Sequence, residues 1–102
     1  MEPLSRITPA TLDVLAVLLD SGGPTWGLAV IKGSGRPAGS VYPILERLER
    51  SGWVTSAWAD EPERPGPRRR YYEFTDDGAR AARGVVNAAR TAAVSSRRVA
   101  LS

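Results

Sequence analysis

A chain of 102 residues with a net charge of +3 forms a single domain that buries only about two-thirds of its unfolded surface. It contains no Cys and no His, which removes disulfides, thiolate metal sites and the commonest general base and metal ligand. The basic excess is almost all arginine, thirteen residues against one lysine, with a pI near 10.0, a balance compatible with nucleic acid. The longest apolar run, Val14 to Leu19, is far too short to span a bilayer, and the N-terminus has no signal-peptide pattern. A cytoplasmic location is expected.

Met1 to Ile7 reads as a short mobile arm, with Arg6 placed for a phosphate. Thr8-Pro9 then supplies an N-cap and a first-turn proline. The following run, ATLDVLAVLLD, sets Leu12, Leu15, Ala16 and Leu19 on one face and Val14, Val17 and Leu18 on a second. A helix apolar over so wide an arc buries two faces, one in its own domain and one against another subunit. Gly22-Gly23-Pro24 ends it. A shorter helix is predicted from near Thr25 to near Lys32, with Leu28 and Ile31 on its apolar side and Trp26 and Val30 flanking them. Gly27 weakens it by about 1 kcal/mol relative to Ala, which points to a close packing contact there. Gly33-Ser34-Gly35 is the turn, and Arg36-Pro37 leads into the next helix. Helix, glycine-bearing turn and helix make a helix-turn-helix unit.

The rest of the chain is arranged around Gly39 to Val54, GSVYPILERLERSGWV. Val41, Ile44, Leu45 and Leu48 stand at i, i+3, i+4 and i+7 and form one buried stripe. Outside it lie Gly39, Ser40, Tyr42, Pro43, Glu46, Arg47 and Arg50, small, hydroxyl-bearing and cationic residues that suit a helix entering a DNA groove. Gly52 caps the helix, and the period then changes from 3.6 to 2. Residues 53–58 and 70–74 read as two strands of a hairpin, with Trp53, Trp58, Tyr72 and Phe74 as anchors onto the helices. Their proline-rich connection carries Arg64, then Arg68, Arg69 and Arg70, a clamp for phosphate or minor groove. Thr75 caps a last helix whose Ala79, Ala82, Val86, Ala89 and Ala93 are spaced 3, 4, 3, 4, a seam of small residues suited to a subunit contact. Ser95 to Ser102 is expected to fade into a basic tail. The fold class is mostly α with a two-stranded β-wing.

Four stretches carry a family resemblance: Gly23-Pro24-Thr25-Trp26-Gly27, Gly39-Ser40-Val41-Tyr42-Pro43-Ile44-Leu45, Leu48-Glu49-Arg50-Ser51-Gly52, and Arg69-Arg70-Tyr71-Tyr72-Glu73-Phe74-Thr75-Asp76-Asp77-Gly78. In this order, from about Leu12 to Gly78, they resemble the PadR family of transcriptional regulators. The resemblance implies a dimeric winged-helix repressor paired through its first and last helices; neither cofactor nor metal is expected. Residues 1–75 would form the DNA-binding domain, and 76–102 the dimerisation helix and tail. Ser40, Tyr42 and Pro43 occupy the signature on the recognition helix, and Arg69 and Arg70 the junction of the wing. Leu28 stands where the family usually has an aromatic, so local packing is expected to be rebuilt around Trp26. The final helix lacks the tryptophans between which some short relatives hold flat drugs.

The expected partners are double-stranded operator DNA, a second copy of the chain and a small hydrophobic effector. Ser40 and the first amides of the recognition helix would hold phosphate, as would Tyr42 through its hydroxyl. Arg47 would reach a base or phosphate, Arg36 a phosphate, and Arg64, Arg68, Arg69 and Arg70 the flanking backbone. Leu12, Leu15, Leu19, Ala79, Ala82, Val86, Ala89 and Ala93 would form the dimer interface. A winged helix serving only as a protein-interaction module is the rival reading, and it predicts no DNA retention at physiological salt. An enzyme is not expected, because no residue constellation offers a nucleophile, base or phosphate loop.

Overall fold

A computed structural model of the chain describes residues 1–60, 62, 63 and 65–101, with the side chains of 97–101 excepted. Arg64 and the side chains of the basic tail therefore lie outside the described residues. Helix α1 spans Pro9–Ser21, and Thr8 caps it by accepting a hydrogen bond from the Thr11 amide at 3.2 Å. Its Val14, Leu15 and Leu18 are buried on the domain's own side. The preceding arm is held down, contrary to expectation. The Glu2 amide donates to the Ser51 carbonyl at 2.8 Å, the Trp53 indole donates to the Glu2 carbonyl at 2.6 Å, and Leu4 packs on the core.

Thr25–Trp26 forms strand β1, and helix α2 starts only at Gly27, running to Ser34. Two residues are too few to show a period of 2, so the strand was hidden at the front of a helical pattern. The core residue of α2 is Val30. Leu28, expected on the apolar side, is 38% exposed. Gly27 does meet the close contact its position implied: a Cβ there would stand 2.6 Å from Cε1 of Tyr42.

Helix α3 spans Ala38–Arg50 and buries Val41, Ile44, Leu45 and Leu48 as its pattern requires. It ends in a full Schellman turn. Gly52, at φ +80°, donates to the Glu49 carbonyl at 3.1 Å, and the Trp53 amide donates to the Leu48 carbonyl at 2.9 Å. The chain then enters β2, Val54–Trp58, which pairs antiparallel with β3, Arg70–Phe74, in the register Val54↔Phe74 to Trp58↔Arg70. Strand β1 adds to the other edge of β3, so the wing belongs to a three-stranded sheet of order β1-β3-β2. Trp53 and Tyr72 anchor the sheet in the core and Phe74 packs against it, but Trp58 is 53% exposed and anchors nothing.

Helix α4 runs from Asp76 to Leu101, so the helix continues through the segment expected to fade out. Thr75 caps it by accepting from the Gly78 amide at 2.9 Å. Its first half packs along α1 as part of the same core, which thus extends across the expected boundary at residue 75. The seam expected to face a partner is divided by this packing. Ala82 and Val86, like Leu15 on α1, are covered by the chain itself. Leu12, Leu19, Ala79 and Ala89 remain partly open, and Ala93 is exposed. Beyond Arg90 every described side chain of α4 is exposed, including Val94, and the domain is 59 Å long against 27 and 23 Å in the other directions.

Two glycines of α4 separate packing from propensity. A Cβ on Gly78 would overlap the Trp53 carbonyl, whereas a Cβ on Gly84 meets nothing within 4 Å. Gly78→Ala should lower stability by about 1–3 kcal/mol, and Gly84→Ala should raise it by about 1 kcal/mol. Urea unfolding of the two variants measures both.

Candidate nucleic-acid interface

With Val41, Ile44, Leu45 and Leu48 buried, the opposite face of α3 has a defined composition: Ala38, Gly39, Tyr42, Pro43, Glu46 and Arg50 are exposed, and Ser40 is half-buried. The helix begins on Pro37, which supplies no side-chain cap. The Ser40 and Val41 amides donate to the Pro37 carbonyl at 2.9 and 3.0 Å, and the two before them, of Ala38 and Gly39, lie on a surface of small residues, where the positive end of the helix dipole is also found. The Tyr42 ring, 46% exposed, stands beside Gly27 at the start of α2. The absent Cβ of Gly27 is what lets the ring lie there, so the motifs around Gly27 and Tyr42 meet in one packing contact.

The arginines divide by what they already hold. Arg36 is bound to Asp13 of α1, Nε to Oδ2 at 2.9 Å. Arg47 turns back to α1 and donates from Nη2 to the Thr11 hydroxyl at 3.1 Å. Its Nε is buried without a hydrogen-bond partner, so in the free chain this side chain braces α3 against α1 and does not point outward. Arg70 is braced too. It donates from Nε to Ser56 Oγ at 3.1 Å, from Nη2 to the same oxygen at 2.7 Å, and from Nη2 to Glu49 Oε1 at 3.3 Å. Ser56 in turn donates to Glu49 Oε2. This triad of Glu49, Ser56 and Arg70 ties the wing to α3.

Arg69 lies 4.1 Å from the Trp26 ring centroid, stacked as a cation on an indole. Arg68 is exposed, 5.9 Å from the Trp58 ring centroid. Arg50 on α3 and Lys32 on α2 are exposed as well. Sequence reasoning missed Thr11, Glu49 and Ser56 as bracing partners. Their spacing from the arginines, 36, 21 and 14 residues, leaves no local pattern to find them by. Burial pushes the Tyr72 phenol above its ordinary pKa, with Arg70 opposing it, so the ring stays neutral beside the triad.

Among the described residues, no group of three or more His, Cys, Asp or Glu could hold a metal ion. Among them, too, no helix is long and apolar enough to cross a membrane. An exposed helix face with a braced strand pair beside it is the layout of a winged helix-turn-helix.

Comparison with known proteins agrees with that layout. Residues 14–84, more than two-thirds of the chain, match the transcriptional regulator PadR-like family. No curated protein matches the chain. Among solved structures, a PadR family transcription regulator from hypervirulent Clostridium difficile R20291 is 18% identical over 90% of this chain and 94% of its own, with a TM-score of 0.66. The protein smu.1704 from Streptococcus mutans UA159 is 17% identical over 96% and 93%, with a TM-score of 0.72. The MarR family transcriptional regulator SPO1453 from Silicibacter pomeroyi DSS-3 is 24% identical over 83% and 56%, with a TM-score of 0.63. These likenesses establish the fold. The chain belongs to the PadR-like family, whose members are transcriptional regulators rather than enzymes.

Proposed function

We propose that the chain is a dimeric cytoplasmic repressor that sets α3 of each copy into successive major grooves of a pseudo-palindromic operator. The observation that carries this reading is the slim N-terminal face of α3, Ala38 to Pro43, uncovered by the rest of the chain and flanked by the wing. Ser40 and the uncapped amides take phosphate, and Tyr42 gives its hydroxyl to the backbone. Lys32, Arg50 and Arg68 are the side chains open to phosphate, and Arg69 follows by leaving Trp26. Arg36, Arg47 and Arg70 serve by holding the reading surface in shape.

Residues 76–102 supply the pairing element in this reading, joined by Leu12 and Leu19 of α1. The part of α4 beyond Arg90 supports it, since an amphipathic helix that leaves its own domain with Ala93 and Val94 bare has no apolar surface of its own to cover them. Binding occludes a promoter. A small hydrophobic effector acting through the dimer would release the operator by changing the angle between its halves.

The direct experiment is a gel shift against the DNA upstream of the chain's own gene. A complex that survives excess non-specific competitor is the expected result, and loss of every complex at physiological salt would overturn the reading. The division of the arginines is checked by salt dependence. In the double variant Arg68→Ala, Arg69→Ala, the slope of log K against log salt should shrink by about 0.9 for each phosphate that no longer has a cation beside it. Arg70→Ala should leave that slope unchanged while lowering stability by about 1 kcal/mol; a shrunken slope would instead place Arg70 on the phosphate.

A further inference from the structure

Helix α3 carries two acids, and the fold treats them differently. Glu49 is half-buried and fully used: it accepts from Arg70 Nη2 at 3.3 Å and from the Ser56 hydroxyl. Glu46 is exposed and, among the described residues, holds no hydrogen bond or ion pair. The arginines nearest it in sequence leave it alone. Arg47 turns back to Thr11 on α1, and Arg50, one turn further on, is exposed without an ion pair. On a face turned only to solvent such a carboxylate would be ordinary. Here it stands one turn beyond Tyr42 and Pro43 and two beyond Gly39, on the slim face that the reading above sets into a major groove.

That place makes the charge costly. A carboxylate entering the groove is repelled by the phosphates on either side, and no ion pair on α3 offsets the repulsion. Only a base edge that offers a donor can do so, because an ionised carboxylate accepts hydrogen bonds and cannot donate. In the major groove guanine and thymine present acceptors, whereas cytosine N4 and adenine N6 are the donors. Adenine sets its N7 acceptor beside N6, which repels a carboxylate. Cytosine has no acceptor of its own there, so it is the base that Glu46 suits.

We propose that Glu46 is a base-reading residue that selects cytosine, its carboxylate accepting from the N4 amino group at one fixed position of each half-site. The assignment rests on the operator-binding reading above and adds a source of sequence preference to it. Contacts to phosphate place the helix but are the same on every sequence.

The test is selection from a randomised duplex pool by the full chain and by two variants, Glu46→Ala and Glu46→Gln, followed by binding measurements on the enriched duplexes. The position is exposed, so both variants should keep the native thermal melt. The native chain should enrich duplexes with cytosine at one position of each half-site, and exchanging that C·G pair for T·A should weaken its binding about tenfold. Glu46→Ala should enrich the same site with that position no longer fixed, and should lose less than about twofold on the exchange. Glu46→Gln should move the preference to adenine, whose N6 and N7 suit an amide. Relative to the native chain, Glu46→Ala should bind the cytosine site more weakly and an unrelated duplex more tightly. A charge that merely repels phosphate would give tighter binding on both, and that result would overturn the assignment. So would a cytosine preference that survives in Glu46→Ala, or a native motif without a fixed cytosine; each leaves the operator reading standing. Failure of the native chain to enrich any motif would overturn both.

Discussion

The carbonyls of Gly52 and Trp53 accept the Thr75 hydroxyl at 2.9 and 3.3 Å, and the Trp53 carbonyl also accepts the Thr75 amide at 3.0 Å. Three elements meet at this junction: the end of α3, the base of the wing and the start of α4. Gly78 lets the first turn of α4 approach the Trp53 backbone closely, and Trp53 itself is buried with its indole bonded to the arm. Backbone groups paired inside a protein are expensive to separate, because each would be left unsatisfied. The junction therefore sets the angle between α3 and everything downstream of it.

A second tie acts further along the wing. The triad of Glu49, Ser56 and Arg70 holds the middle of the hairpin against α3, and Arg47 with Thr11 holds α3 against α1. A hairpin of two five-residue strands is barely stable alone, and here its base, its middle and its far edge at β1 are each bonded. The Ala59 amide donates to the Arg69 carbonyl at 2.7 Å and closes the ladder. Charge on this surface thus has two uses. Arg47 and Arg70 tie α3 to its neighbours, whereas Arg50 and Arg68 are exposed.

Much of this was legible in the chain. Helix α1, apolar over a wide arc, and α3, with its single stripe, stand where their spacing put them, and the caps at Thr8 and Thr75 and the terminator at Gly52 act as such. The glycine at position 27 announced a contact whose partner, Tyr42, only the fold reveals. Strand β1 leaves no local pattern, because Thr25 and Trp26 take their structure from Tyr72 and Tyr71, 47 and 45 residues away. The partners of the arginines are hidden for the same reason. A charge run shows where cations are, whereas long-range partners such as Glu49, Thr11 and Asp13 decide which of them are free. Periodicity on α4 does not say whose surface a seam meets, and Ala82 and Val86 are buried in the chain's own core, where α4 packs along α1.

The central claim is that α3, held by these ties, is the part of the chain that enters the DNA groove. The chain has no cysteine, so Glu46→Cys, at an exposed position on the reading face, can carry a single iron–EDTA group. On a duplex selected by the protein from a random library, the tethered iron should cut in two clusters centred about one helical turn, roughly 10 base pairs, apart, with the strand offset of a source in the major groove. Cuts spread evenly along the duplex, or an intact duplex in a complex that still forms, would contradict the account.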